Sequence, residues 1–263
     1  MKQYNRYSSI LSLHWRYTHR IFIGILGVLA VTQVYFLYNQ MSTASFTKEI
    51  TDWSTESREV IISPWSLRLE EYMARSHMKT IFIIGFVLVL VLLVLISIWQ
   101  RSNSHIEYTI MKLPVRENTW YVTSWLHSFL HLMILLSVQL GLVFVAYGMY
   151  LFMIPKEAQM TQPLVLSFLR WDFLQSLFPI FDQLKLVYLI TVLVSISLLV
   201  VYLQNCMMKK ITSVIIYLCG FAYKDFFEVM TKKEIYFNIF LMLLACVFMI
   251  LLIKQFIVER KRL

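Results

Sequence analysis

IFIIGFVLVLVLLVLISIW, residues Ile81–Trp99, runs for 19 residues with no charged side chain and no proline. A helix of roughly 20 such residues is what crosses a hydrocarbon core about 30 Å thick. In lipid, only a helix satisfies its own backbone polar groups over an uninterrupted run of this kind, so open sheet is excluded. Five more segments lack Asp, Glu, Lys and Arg: Ile21–Tyr38, Trp125–Met153, Val187–Leu203, Ile211–Tyr223 and Ile235–Ile253. The segment at Ile211 is short unless it continues through Lys224–Phe227, so it either spans with a charged outer end or turns back before crossing. Hydrophobic residues make up 59% of the 263 positions, an excess that a soluble core of this size cannot hide.

The expected fold is therefore all-α: a polytopic membrane protein with six transmembrane helices, residues 21–263 forming a single transmembrane domain. Lys and Arg set its orientation. The connectors 1–20, 100–124, 204–210 and 254–263 carry 13 basic residues over 62 positions, against 11 over 86 for 39–80, 154–186 and 224–234. That bias predicts both termini in the cytoplasm, and the expected location is the plasma membrane, the inner membrane of a bacterium. The net charge of +9 follows from basic residues at span ends, and no nucleic-acid partner is expected. Three cysteines, Cys206, Cys219 and Cys246, lack C-x-x-C spacing and lie in or beside apolar runs, as small hydrophobes do. The first apolar run begins only at Ile21, which reads as a span rather than a cleavable signal peptide.

Outside the spans, residues 1–20 place Tyr7, Ile10, Leu11 and Trp15 near one helix face with Arg6, Arg16 and Arg20 nearby, the pattern of an interfacial N-terminal helix. The outer connector 39–80 turns helical from Pro64 and is expected to run directly into the second span. Residues 163–179, PLVLSFLRWDFLQSLFP, are too polar to span and predict a helix on the outer surface.

Several chemistries are set aside on the sequence. Glu70, Glu71 and Arg75 match E-E-x-x-x-R, the first motif of CAAX-type intramembrane proteases, but His127 and His131 lack the flanking Phe and Asn/Asp that such a site needs, and the topology puts them on the other side of the membrane. The two histidines, one turn apart, read as interfacial residues at the inner end of a span, and no third metal ligand is close in sequence. No catalytic residue and no metal site is assigned. The spans hold no ionisable relay of the kind that ion-coupled carriers use. Their mild polar residues Gln139, Thr191, Ser195 and Asn238 suit either conduit lining or helix packing. No P-loop occurs, so the chain binds no cofactor of its own.

The remaining candidate is the cytosolic segment 100–124, centred on IEYTIMKLPVREN (Ile106–Asn118). Pro114 breaks helix at Leu113 and can start it anew. Upstream, Ile106, Ile110 and Met111 offer an apolar face on a short helix, a suitable knob for a groove in a partner protein. Six spans, cytosolic ends, a basic N-terminal helix and the element Leu113-Pro114-Val115-Arg116 together resemble a permease subunit of the ABC type-2 exporter family. The resemblance implies that the segment is a coupling helix, with Ile106, Ile110, Met111, Leu113, Pro114 and Arg116 seating in a separate ATPase that binds ATP and Mg. It also implies a second permease, identical or related, an amphiphilic cargo (peptide, lipid or hydrophobic antibiotic), and re-entrant outer structure at 224–234. Two features depart from the family: NTWYVTSW stands where a lysine is common, and connector 39–80 is long. The competing reading is a non-transporting membrane sensor or assembly protein built around that connector.

Overall fold

The computed structural model describes residues 4–42, 68–102, 117–154, 156, 159–206 and 232–260. Among these every regular element is a helix: α1 (Tyr4–Ser42), α2 (Leu69–Arg75), α3 (Met78–Ser102), α4 (Glu117–Met153), α5 (Pro163–Arg170), α6 (Asp172–Leu177), α7 (Gln183–Cys206) and α8 (Lys232–Arg260). Five of them are long and apolar enough to cross a membrane, through Thr18–Ser42, Met78–Leu95, Tyr121–Met153, Gln183–Leu203 and Lys232–Lys254. This is the architecture of a multi-pass membrane protein. The segment Ile211–Tyr223, residues 103–116 of the coupling segment with Ile106, Ile110, Met111, Leu113, Pro114 and Arg116, and most of connectors 39–80 and 224–234 lie outside the described residues.

Helices α1, α3, α4 and α7 form the central group: α1 packs on α3 and α4, and α7 packs on α3 and α4, while α8 packs on α7. Lipid gives no hydrophobic reward for helix association, so close packing must hold the group together. Its interior is a continuous cluster that includes Phe22 and Leu29 of α1, Phe82 and Val89 of α3, Leu132 and Val143 of α4, and Leu193 and Ile196 of α7. A smaller cluster, Val201 and Tyr202 against Ala245, Cys246 and Met249, joins α7 to α8. Outward, Val28, Val31, Val87, Val91, Phe240 and Val247 are exposed, a surface suited to acyl chains and not to water.

Three short helices cover one end of the group. There α2 contacts α1, α3, α4 and α5, and α6 contacts α5 and α7. The cap therefore sits where α1 and α4 end and α3 and α7 begin. An ion pair between Glu70 of α2 and Arg170 of α5, 3.6 Å apart, ties connectors 39–80 and 154–186 together. The end of α4 and the start of α7 are closed here by side chains, as their unpaired carbonyls and amides require. Gln159 donates to the Ile154 carbonyl at 2.7 Å, and Asp182 caps α7 by accepting from the Leu184 N–H at 3.0 Å.

Three expectations need adjustment. The helix over residues 1–20 does not stand apart from the first span: α1 is a single helix of 39 residues, because no proline interrupts it. At 1.5 Å per residue it is about 58 Å long, more than the hydrocarbon thickness. The helix from Pro64 does not run directly into the second span either. α2 ends at Arg75, and His77 takes a left-handed φ of 55° before α3 starts at Met78, the usual way of terminating a helix at its C′ position. The surface helix of residues 163–179 is broken at Trp171, whose extended backbone (φ −95°, ψ 110°) separates α5 from α6.

Candidate functional site

Between α3, α4, α6 and α7 lies a cavity of about 150 Å³ lined by apolar side chains, among them Phe82, Phe86 and Leu90 of α3, Leu136 of α4, Leu177 of α6 and Leu193 of α7. The periodicity of the helices creates it. Positions 82, 86 and 90 are successive turns of one face of α3, and Leu189, Val192, Leu193, Ile196 and Leu199 form the facing stripe of α7. From Leu189 to Leu199 the slot runs about 15 Å along α7. A lining without polar side chains favours a hydrocarbon over water.

Towards the cap, α3 and α7 each carry a lysine one turn before the slot begins. Lys79 precedes Phe82 by three residues and Lys185 precedes Leu189 by four, so each lysine sits one turn beyond a lining residue on the same helix face. Both are partly buried. The Lys185 ammonium donates to Gln175 Oε1 of α6 at 3.1 Å, and among the described residues no carboxylate pairs with it. The nearby Asp182 carboxylate is occupied by the α7 amides that it caps. In the same cap, burial pushes the Tyr72 hydroxyl up from its ordinary pKa.

A second set of polar groups lies on the α1–α4 seam. His127 and His131 are buried, with ring centroids 4.2 Å apart. The His131 ring packs at 4.4 Å from Phe22 and 5.1 Å from Trp15. Its Nδ1–H donates to the His127 carbonyl at 2.8 Å, and its Nε2 is buried without a hydrogen-bond partner. Thr18 of α1 stands 3.3 Å from His127 Nε2. The long α1 covers both rings. Further along the seam, Gln33 Nε2 donates to Gln139 Oε1 at 3.1 Å, and both amides are buried.

Of the residues expected to line a conduit, Gln139 is joined to Gln33 of α1 and not to α7. Thr191 and Ser195 direct their hydroxyls to their own helix, to the Val187 and Val192 carbonyls. Asn238 is buried on α8. The seam partner Gln33 and the two mouth lysines were passed over at the sequence level. Gln33 was visible as an amide in a charge-free span, whereas Lys79 and Lys185 looked like ordinary span-end charges.

Glu71 pairs with Arg75 one turn on, as its spacing predicts, whereas Glu70 turns towards Arg170. The α2 acids and the histidines are at opposite ends of α4: α2 meets α4 at the end that carries Tyr150, 19 residues or about 28 Å beyond His131. No acid–histidine centre forms between them. Among the described residues no three His, Cys, Asp or Glu side chains converge as a metal site. Nor is any Asp, Glu, Lys or Arg of the described spans fully buried. Compared with family models, curated proteins and solved structures, the chain matches none.

Proposed function

We propose that this chain is the membrane-spanning permease subunit of an ATP-driven exporter of the ABC type-2 kind, working with separate ATPase chains and a second permease in a bacterial inner membrane. The observation that supports this reading most is where the cytosolic segment is attached. Residues 103–116 connect α3 to α4, and these two helices also line the apolar slot. A push delivered to that segment by a nucleotide-driven partner is transmitted along two stiff helices to the walls of the slot. Fully buried carboxylates and ammonium groups are lacking among the described spans, which leaves no evident ion relay, and an external motor is the simplest energy source.

In this mechanism the chain itself does no covalent chemistry. ATP and Mg belong to the partner. Ile106, Ile110, Met111, Leu113, Pro114 and Arg116 dock the short helix, and α3 and α4 move relative to α7. Both termini lie in the cytoplasm and residues 211–227 supply the sixth span. The cargo is amphiphilic.

The test is co-purification with a candidate nucleotide-binding ATPase chain, followed by ATPase and transport assays in proteoliposomes. Arg116→Glu combined with Pro114→Ala is expected to abolish stimulation of ATP hydrolysis while the chain still inserts and folds. Assembly and coupled transport at the unmutated level in that variant would refute the docking role.

A further inference from the structure

We infer that the slot between α3, α4, α6 and α7 binds the hydrocarbon tail of a single-chain anionic amphiphile, with its headgroup held at the cap end by Lys185 and Lys79. The inference rests on the permease reading only where it treats that ligand as cargo; binding itself needs no motor.

The lining selects the tail. With no hydrogen-bonding side chain among the lining residues, a peptide in the slot would leave its N–H and C=O groups unsatisfied, at a cost of several kcal/mol each. A methylene chain forfeits nothing there and gains dispersion contacts with Phe82, Phe86 and Leu193. Shape narrows the choice further. A volume near 150 Å³, about that of a cavity that takes one benzene, admits several methylenes of one chain and leaves no room for a fused ring or a pair of tails.

The mouth selects the headgroup. Lys79 and Lys185 stand at the first residues of the two spanning segments that begin at Met78 and Gln183, which is the depth of lipid headgroups. Their stems run along the apolar wall while the ammonium groups reach the polar layer. The hydrogen bond from Lys185 to the neutral Gln175 orients the ammonium without neutralising it. A carboxylate or phosphate at the end of the tail then completes the site.

The experiment uses the full chain in phosphatidylcholine nanodiscs and a palmitate analogue carrying a diazirine in its tail. Saturable photolabelling is expected on peptides of α3 and α7 around Phe86 and Leu193. Leu193→Trp fills the slot and lowers labelling by about tenfold or more. Leu136→Trp fills it from α4 and serves if the first variant does not fold. Lys185→Gln weakens binding by about fivefold, the scale of one partly exposed charge contact. The methyl ester of the probe binds more weakly than the acid. Labelling that does not saturate, or that is unchanged in both filled variants, would mean contact with bulk lipid and would overturn the proposal. Equal binding of acid and ester would overturn it too. Either failure leaves the Arg116 and Pro114 test untouched, and loss of coupling in that test leaves this binding measurement intact.

Discussion

Gln33 and Gln139 place two primary amides inside a lipid-embedded seam and join them by one hydrogen bond. The remaining Gln33 Oε1 and Gln139 Nε2 have no partner, so the pair is only half satisfied. Replacing one glutamine with leucine strands the other amide, at about 1–3 kcal/mol. Replacing both removes the problem. Gln33→Leu and Gln139→Leu should therefore each lower the denaturation midpoint in a mixed-micelle titration, while the double variant recovers most of the loss. A coupling energy of about 0.6–1.7 kcal/mol is expected from known pairs of this kind; strictly additive losses would show that the amides do not interact. The sequence displayed both glutamines as polar residues in charge-free runs. It did not show that they meet, because 106 positions separate them in the chain. The same holds for His131, whose burial depends on Trp15 and Phe22.

At the scale of the element, α1 and α3 approach closely at Gly85. A Cβ built there would collide with the terminal methyls of Leu29. Gly141 and Gly148 on α4 have open space at the corresponding position. Alanine is worth roughly 0.5–1 kcal/mol over glycine inside a helix, so Gly141→Ala and Gly148→Ala are expected to raise the melting temperature slightly. Gly85→Ala instead forces Leu29 to move and should cost about 1 kcal/mol net. A stabilised Gly85→Ala would mean that the two helices are further apart than described. Sequence reasoning located all five described spans to within a few residues, because charge-free runs are local features. It misjudged the helix breaks at His77 and Trp171, since neither residue is a proline or glycine and the turns there follow from the cap packing on the bundle end.

At the scale of the whole molecule, the ion pair between Glu70 and Arg170 and the contacts of α2 with both α4 and α5 put connectors 39–80 and 154–186 at one end. The C-terminal end of α3 and the N-terminal end of α4 are then at the other. With the native Cys206, Cys219 and Cys246 replaced by serine, Thr55→Cys is expected to react with a membrane-impermeant maleimide added outside intact cells. Ser104→Cys should react only after the membrane is opened. Labelling of both from the same side would contradict the alternation of spans.

The sequence by itself determined that the described residues are helical, that the chain is membrane-embedded and where the five described spans begin and end. The physical reason is that lipid demands internal backbone hydrogen bonds and excludes charge, and both demands act on a contiguous run of residues. Only the tertiary structure decided which helices adjoin, that His127 and His131 are covered, that Gln33 meets Gln139 and that α3 and α7 enclose a slot with lysines at its mouth. Helices that are apolar on every side carry no amphipathic stripe to say which face turns inward. That choice is made by the fit of side chains far apart in sequence, and the candidate site exists only once the fit is made.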